Sequence, residues 1–435
     1  MSEHVELDVE PQRWTRPWLY LFLELPFGAA IGFLMIAVPY RLSAAGVSLA
    51  EIATVSAVGF MPHALKIFWV PVIDMVGRRR TWYLSMVGVT AALLAAASLV
   101  PDPARNIGLL TVLVTALQAA AATTSAALNA LIAMTTHPDD KGKAGGFYMA
   151  GNVGGTGILG ALALWLSTAV APWAAGVVLA GLVVASGIGA VTVHERRLPG
   201  EGAVAGGVLR ALAGRIRAMG RDLWETASSL QGFTALVISV APVGCGALTN
   251  LFSGMAIEFG ADQRVVEIVN GLGGGLAGAA GSLVGGFLAD RMNRRLAYAL
   301  AGGLTALAAF GMLLAPMTPT TYTVGTLAYN FANGIAFATW AGMVLEVVGH
   351  SAAVATKYAL FVASSNFAIS TVTQLNGWAS AFRGLSGDWP REAGARGALA
   401  FDAGITVVGI VIVLGLVRYT AARNARVSAA TASGA

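Results

Sequence analysis

The chain has 435 residues, of which 56% are hydrophobic and 11% are charged, and its formal net charge is +5. Soluble domains carry about 25% charged residues, so this composition excludes a chain that covers its whole surface with polar groups. The single cysteine, Cys245, excludes a disulfide framework within the chain and a cysteine-rich metal cluster. The composition therefore indicates a membrane protein, in which the 54 glycines allow helices to approach closely.

Residues 1–16 form a polar tail, and no basic segment followed by a short apolar run opens the chain, so we predict no cleavable signal peptide. A spanning helix needs about 20 mostly apolar residues. Twelve runs of this kind predict spans near residues 17–40, 47–74, 81–100, 107–135, 143–168, 172–193, 233–257, 264–290, 296–316, 320–348, 356–380 and 397–419.

The distribution of basic residues predicts the orientation. Twenty of the 27 lysines and arginines fall on the side of the termini, six fall on the other side, and Lys66 lies within a span. Since loops that stay in the cytosol carry the excess of Lys and Arg, we expect both termini in the cytosol. With the bilayer as a partner, the chain is expected to act as a monomer in a bacterial-type inner membrane.

The long polar stretch at residues 194–232 divides the chain. The expected organisation is a tail at 1–16, a six-helix bundle at 17–193, a cytosolic linker at 194–232, a second bundle at 233–419 and a tail at 420–435. The linker carries apolar residues at helical spacing: Leu209, Leu212, Ile216, Met219 and Leu223. This pattern fits an amphipathic helix on the membrane surface, or simply a linker helix that tethers the two bundles.

A repeat relates the two halves. Asp74, Arg78 and Arg79 recur 216 residues later as Asp290, Arg294 and Arg295. The same offset relates Pro26 and Gly28 to Pro242 and Gly244. Two parallel halves of six helices are one of the known transporter architectures, so we predict an all-α membrane protein of twelve helices in two halves.

Residues 286–295 read Gly-Phe-Leu-Ala-Asp-Arg-Met-Asn-Arg-Arg, and this loop resembles the signature loop of the major facilitator superfamily. The copy at 70–80 departs from it, with Val70 in place of glycine. The resemblance implies an inner gate in which Asp74 faces the start of span eleven near Lys357, while Asp290 faces the start of span five near Lys141 and Lys143. The predicted gate residues are Asp74, Arg78, Arg79, Asp290, Arg291, Arg294 and Arg295. In the alternative interpretation, the arginines only set topology.

Other stretches resemble the muropeptide-permease branch, which groups peptide, acetyl-coenzyme A and drug transporters with some siderophore importers. They are Leu25-Pro26-Phe27-Gly28, residues 65–80, Ala355-Thr356-Lys357-Tyr358, and Gly160-Ala161-Leu162. One departure is the uncharged stretch at 126–133, where muropeptide permeases usually carry acids followed by a Tyr-Arg pair. The length of the chain fits the siderophore-importer relatives better.

Four charged or titratable residues within or near the spans are coupling candidates, because a charge at membrane depth is costly. Glu24 and Lys66 have matching predicted depths, which allows an ion pair that either binds solute or protons or is only structural. His63 lies three residues before Lys66 on a similar face, where it either titrates or lines a wall. Glu346 near the end of span ten is either a coupling group or a partner of Lys357.

Uncharged polar and aromatic residues are concentrated in spans four, ten and eleven. They either line a polar cavity near the midplane or make hydrogen bonds between helices. The cavity candidates are Asn129, Asn330, Asn333, Trp340, Tyr358, Asn366 and Gln374.

The sequence thus predicts a secondary transporter rather than an enzyme. It would move a small organic solute (siderophore-, peptide- or muropeptide-like) by alternating access, driven by a proton gradient and without a cofactor or a metal. The alternative is a membrane assembly or pigment-delivery factor with the same fold. No nucleic-acid partner is expected.

Overall fold

A computed structural model describes residues 14–74, 77–195, 213–214, 217–218, 220–221, 224–225, 228–348, 354–381 and 394–433. The described residues form helices and turns, and the fold is that of twelve helices in two domains, as the sequence predicted. Eight of the helices in the described ranges are long and apolar enough to span a bilayer by themselves.

The first half contributes six helical spans, all of which begin or end near the predicted boundaries. They are α1 (Leu19–Ala44), α2 (Leu49–Leu65, continued by tight turns Lys66–Phe68 and Val70–Asp74), α3 (Arg79–Ser98), α4 (Ile107–Thr135), α5 (Lys143–Ala169) and α6 (Pro172–Thr192).

The second half repeats this order, with a broken first member. Its spans are α7 (Leu230–Val240, then short turns Ala247–Asn250 and Phe252–Met255), α8 (Gln263–Arg291), α9 (Arg294–Leu314), α10 (Pro319–Val348), α11 (Val354–Ala381) and α12 (Gly394–Ser433).

The repeated Pro-x-Gly pair has different effects in the two halves. Pro26 lies inside the continuous helix α1, where Gly28 lets the backbone of α5 approach at Gly155. Around Pro242 the helix α7 stops, and Gly244 and Gly246 take positive φ angles that favour glycine. Only the second copy therefore interrupts its helix.

The structure bears in different ways on two other predictions, the end of the second bundle and the helix in the linker. Helix α12 runs on to Ser433, past the predicted end of the second bundle at 419, because the Ala- and Arg-rich segment that follows has high helix propensity. The described parts of the linker between residues 213 and 228 are helical, whereas the predicted apolar stripe falls outside the described residues.

The two halves contact each other over the part of the bundle that carries few arginines, which we call the arginine-poor end. There Ser370 Oγ of α11 donates a hydrogen bond to the Ala57 carbonyl of α2 over 2.6 Å, and Gln374 Nε2 donates to Thr54 Oγ1 over 3.0 Å. One hydrophobic core covers the first half and continues into the second half at this end, through residues such as Phe252.

The opposite end, which carries the repeated Asp–Arg loops, is called the arginine-rich end. A separate hydrophobic core fills the second half there, with Tyr298, Trp340 and Phe361 among its members. No hydrogen bond or ion pair among the described residues joins the two halves at this end. Among the described residues, the hydrogen bonds between the halves thus lie toward the arginine-poor end, and in this sense we call that end closed and the other end parted.

Candidate solute and proton site

Glu24 on α1 is a buried carboxylate, with 1% of its surface exposed. Its Oε1 atom accepts hydrogen bonds from Ser125 Oγ of α4 and from Asn152 Nδ2 of α5, each over 2.9 Å. Its Oε2 atom has no hydrogen-bond partner among the described residues. Three helices therefore position the carboxylate, and one of its oxygens stays available for a proton or a cationic group.

Local backbone geometry on α5 explains how Asn152 reaches Glu24. Residues Ala150–Gly154 form a wide π-helical turn, a feature that is common at functional sites. Within this turn Gly151 touches the Leu21 carbonyl of α1, so any side chain at that position would clash with α1. The close approach brings the Asn152 amide within hydrogen-bonding distance of Glu24.

Hydroxyl groups connect Glu24 to the surface. Ser125 Oγ lies 3.1 Å from Tyr148 Oη, and Asn129 Nδ2 donates to the same Tyr148 oxygen over 3.1 Å. Asn129 is exposed near the arginine-rich end of α4. Because hydroxyls both donate and accept hydrogen bonds, Tyr148 and Ser125 can pass a proton between the Asn129 side and Glu24.

Lys66 does not form the predicted ion pair with Glu24 in this conformation. The charge of Lys66 acts on Glu24 from a distance, while the bound oxygen of Glu24 is occupied by Ser125 and Asn152. The α-helical part of α2 ends at Leu65, and Lys66 opens a tight turn. Lys66 and Glu24 therefore influence each other electrostatically without direct contact.

His63 is buried rather than lining an open wall. Its Nε2 atom lies 3.0 Å from Gln118 Oε1, and Gln118 Nε2 donates to the Ala30 carbonyl over 2.7 Å. The imidazole packs against the rings of Phe27 and Phe60. These contacts hold α1, α2 and α4 together, so they support a bracing role for His63.

Two of the cavity candidates bridge the halves, and Asn129 joins the Glu24 network. Asn366 Nδ2 donates to the His63 carbonyl over 3.1 Å, and Gln374 binds Thr54 as described above. Both residues lie on α11 and bind α2. They therefore belong to the contact between the halves.

The α10 candidates make hydrogen bonds within the second half. Asn333 donates to the Gly244 carbonyl over 2.9 Å at the break in α7, and Trp340 Nε1 donates to Ser239 Oγ over 3.1 Å. Asn330 donates to a carbonyl of its own helix at Thr326, and Tyr358 is half-buried beside the second core. The hydrogen bonds of Asn333 and Trp340 fit the interhelical alternative.

The first Asp–Arg loop binds the end of α6 in its own half. The backbone N–H groups of Arg79 and Arg80 donate to Glu195 Oε1 and Oε2 over 2.9 and 3.0 Å. The Arg80 guanidinium donates to the carbonyls of Val191 and Val193, each over 3.2 Å. Glu195 thus caps the amino terminus of α3, where a negative charge is favourable. Arg78 is exposed, and the side chain of Asp74 lies outside the described groups.

The second loop is held by other partners. Arg294 Nη1 lies 3.1 Å from Glu346 Oε2 of α10, and Arg295 Nη1 donates to Thr420 Oγ1 of α12 over 3.4 Å. Arg291 stacks on the ring of Phe287. Asp290 is exposed beside a cavity of about 390 Å³ that Arg294 and Glu346 also line.

Lys143 and Glu346 bind residues of their own half. Lys143 binds Asp140 over 2.8 Å and not Asp290. Glu346 pairs with Arg294, because Arg294 opens α9 directly beside the end of α10. The side chains of Lys357 and Lys141 lie outside the described groups.

Several residues of these networks were not singled out in the sequence. Ser125, Tyr148, Asn152 and Gln118 are neutral residues within apolar spans, so their types gave no signal above ordinary helix packing. Glu195 is an acid just beyond the end of a span, and its type gave no signal of its partners.

Comparison with known proteins places this fold. Residues 20–371 match the family described as Major Facilitator Superfamily. The solved nucleoside transporter NupG is similar over 92% of this chain and 98% of its own, with a TM-score of 0.70 and 14% identity. A search of curated proteins gave no significant match.

Two further solved structures share the fold. A bacterial homolog of the human lysosomal transporter Spinster, in an inward-facing and occupied conformation, is similar over 92% of this chain and 96% of its own (TM-score 0.66, 14% identity). A D-xylose-proton symporter is similar over 91% and 96% (TM-score 0.68, 12% identity). At these sequence identities, the similarity shows a shared fold and nothing further. With its apolar helices and a family match over most of its length, the chain is a multi-pass membrane protein that belongs to the major facilitator superfamily.

Proposed function

We propose that this protein is a proton-coupled secondary transporter that moves a small organic solute across a bacterial inner membrane by alternating access. Its family membership supports transport as the activity. The excess of Lys and Arg at the arginine-rich end supports a cytosolic location for that end and for both termini. The structure would then be an inward-facing state, since the arginine-poor end is closed.

The observation that carries the proposal is the buried Glu24 carboxylate with one unpartnered oxygen. An ionised carboxylate at this depth is costly unless it is paired, and its two hydrogen bonds come from neutral groups. Binding of a proton removes this cost. A proton that Glu24 takes up with the solute on one side and releases on the other would couple proton movement to solute movement.

The hydroxyl chain gives the proton a route. In the inward-facing state a proton would leave Glu24 by way of Ser125 and Tyr148 toward Asn129 at the cytosolic side. A charged Lys66 would favour this release, because a nearby positive charge stabilises an ionised carboxylate. Lys66 would thus reset the site after the solute has left.

The solute is proposed to be siderophore-, peptide- or muropeptide-like, on the resemblance of residues 65–80 and of the start of α11 to that branch. Nucleosides and D-xylose also belong in a substrate panel, because proteins of this fold are named for them. Uptake of a ferric siderophore, a dipeptide, a muropeptide, a nucleoside and D-xylose by proteoliposomes would identify the class.

The decisive experiment separates driven uptake from exchange. Purified full-length protein is reconstituted, and uptake of the panel solute that it transports is measured with an imposed pH gradient and, separately, as exchange across equal pH. Glu24→Gln preserves an acceptor for Ser125 and Asn152 but removes the titrating group. We expect it to abolish gradient-driven uptake and to retain exchange, because exchange moves no net proton.

Two further variants are measured beside Glu24→Gln. Glu225→Gln removes an exposed carboxyl in the linker and should leave both assays unchanged. Lys66→Ala should abolish driven uptake while the protein remains in the membrane. Full gradient-driven uptake by Glu24→Gln would overturn the role of Glu24. Absence of transport by the unaltered protein for every solute, with no response to the gradient, would favour the assembly or pigment-delivery alternative.

A further inference from the structure

A second buried carboxylate lies in the other half of the molecule. Asp402 on α12 is 1% exposed and lies eight residues after the first residue of that helix, Gly394, about 12 Å along its axis. Tyr329 Oη of α10 donates to its Oδ2 atom over 3.1 Å, and Asn376 Nδ2 of α11 donates to its Oδ1 atom over 2.9 Å. Asp402 therefore joins three helices of the second half near the arginine-poor end.

Within the part of the chain that the structure describes, no cation offsets a charge on Asp402. Among the described residues, no Lys, Arg or His forms an ion pair with it. The titratable groups that face it are Tyr329 from α10 and Cys245 from the broken segment of α7, and α11 offers only the neutral amide of Asn376. Since an unpaired carboxylate at membrane depth is costly, this environment favours a bound proton.

The neighbouring groups can serve either protonation state in the observed arrangement. When Asp402 is ionised, Asn376 Nδ2 and the Tyr329 hydroxyl donate to its two oxygens. When Asp402 carries a proton on Oδ2, Asn376 still donates to Oδ1, and the new O–H group donates to the Tyr329 hydroxyl, whose own hydrogen rotates away.

Asp402 is connected to the contact between the halves through α11. Gly377, the residue after Asn376, packs directly against Ala53 of α2. Ser370 and Gln374 of the same helix make the hydrogen bonds to α2 described above. A change in the hydrogen bond between Asn376 and Asp402 therefore acts on the helix that closes the arginine-poor end.

We propose that Asp402 is a proton-binding site of the second half, loaded while the arginine-poor end is closed. When that end opens, water reaches the carboxyl, the proton passes to water, and the ionised Asp402 then accepts hydrogen bonds from both Asn376 and Tyr329. Closure reverses the step, with a proton taken from water on that side. This site goes beyond the coupling proposed at Glu24 and requires no knowledge of the solute.

Infrared difference spectroscopy tests the site directly. The full-length protein in lipid is stepped between acidic and alkaline pH, and the carbonyl stretching band of neutral carboxyl groups is recorded for the unaltered protein and for Asp402→Asn. We expect a neutral-carboxyl band at near-neutral pH that Asp402→Asn removes. Loss of only carboxylate bands in that variant would overturn the proposal, because Asp402 would then be ionised.

Two further variants test the assignment of the band even if the Asp402→Asn protein misfolds. Tyr329→Phe keeps the proton but removes a hydrogen bond to the carboxyl, so the same band should shift in frequency without loss of intensity. An unshifted band in Tyr329→Phe would contradict the assignment. Glu24→Gln should remove a different band, so the failure of coupling at Glu24 and the failure of a proton site at Asp402 are distinguishable.

Discussion

The two ends of the bundle are held by different kinds of interaction. At the closed, arginine-poor end, α2 and α11 meet through a glycine contact at Gly377 and through neutral hydrogen bonds from Ser370 and Gln374. At the parted, arginine-rich end, charged groups bind within their own half, as Arg79 does with Glu195 and Arg294 with Glu346.

This difference bears on alternating access. Neutral hydrogen bonds between membrane helices contribute about 0.6 kcal/mol each, so the closed end can open without a large loss. Arg79 and Arg294 at the other end already have partners within their halves. Closure of that end would require these arginines to exchange partners. We therefore expect the repeated Asp–Arg loops to control the closure.

The largest expected effect comes from enlarging Gly377. A Cβ at this position overlaps Ala53, so Gly377→Val should force α2 and α11 apart. Overpacking costs about 1–3 kcal/mol, which corresponds to roughly a 5- to 150-fold shift from the closed toward the open arginine-poor end. The shift is measured as loss of disulfide cross-linking between cysteines introduced as Thr54→Cys and Gln374→Cys.

The matched control for this prediction is Gly404→Val. Gly404 also lies in a helix of the second half, but a Cβ there meets no atom within 4 Å. Cross-linking in the Gly404→Val background should equal that of the parent cysteine pair. If Gly377→Val cross-links as efficiently as Gly404→Val, then α2 and α11 do not close the arginine-poor end in the membrane.

The next largest effect is expected at Glu195. Glu195→Ala leaves the first two N–H groups of α3 without their carboxylate acceptor, which should cost about 0.5–2 kcal/mol of stability, as for other helix caps. The thermal unfolding temperature in detergent should fall, and should fall less for Glu195→Gln, which keeps one acceptor. An unchanged unfolding temperature in Glu195→Ala, relative to the exposed-site control Glu225→Ala, would contradict the cap.

Hydropathy and the repeat predicted the fold, because membrane spans need long apolar runs and because the duplication repeats acids and arginines at helix ends. The exposed motif residues could be located in the same way, but their partners could not. Glu195 and Glu346 fall outside the repeat, so the different partners of Arg79 and Arg294 follow only from tertiary packing.

The networks around Glu24 and Asp402 could not be predicted from the sequence for another reason. Ser125, Tyr148 and Asn152 lie on two helices, and neutral polar residues are ordinary in membrane spans. What distinguishes them is that they converge on one carboxylate, and convergence depends on how α4 and α5 cross α1. The broken helix α7 likewise required the structure, since its Pro-x-Gly pair matches one that leaves α1 continuous.

A smaller, pH-dependent effect is expected at Glu258, in the turn Ala256–Phe259 between α7 and α8. Glu258 Oε2 accepts a hydrogen bond from the N–H of Ala395 at the start of α12, over 2.9 Å. Burial raises the pKa of this carboxyl from 4.5 to about 7, while the hydrogen bond from Ala395 opposes the rise. The folded state therefore holds a proton that the unfolded chain releases at lower pH.

The sign of the pH dependence follows from that difference. The stabilising contribution of the Glu258 proton is complete below about pH 4.5 and is lost as the pH rises through about 7. The unfolding temperature of the unaltered protein should thus fall from pH 5 to pH 8 relative to Glu258→Gln, which stays neutral and still accepts from Ala395. Parallel curves for the two proteins would exclude this linkage.

The smallest effect should come from the pair at the parted end. The side chains of Arg294 and Glu346 are 35% and 63% exposed, so water screens their 3.1 Å contact. Exposed ion pairs contribute about 0.2–1 kcal/mol, and a double-mutant cycle of Arg294→Ala and Glu346→Ala in thermal unfolding should give a coupling energy in that range. A much larger coupling energy would mean that the pair is desolvated in the detergent-purified protein, and hence that the arginine-rich end is closed there. The comparison of the two ends would then reverse, with the charged loops acting as the closed gate and the α2–α11 contact as the parted one.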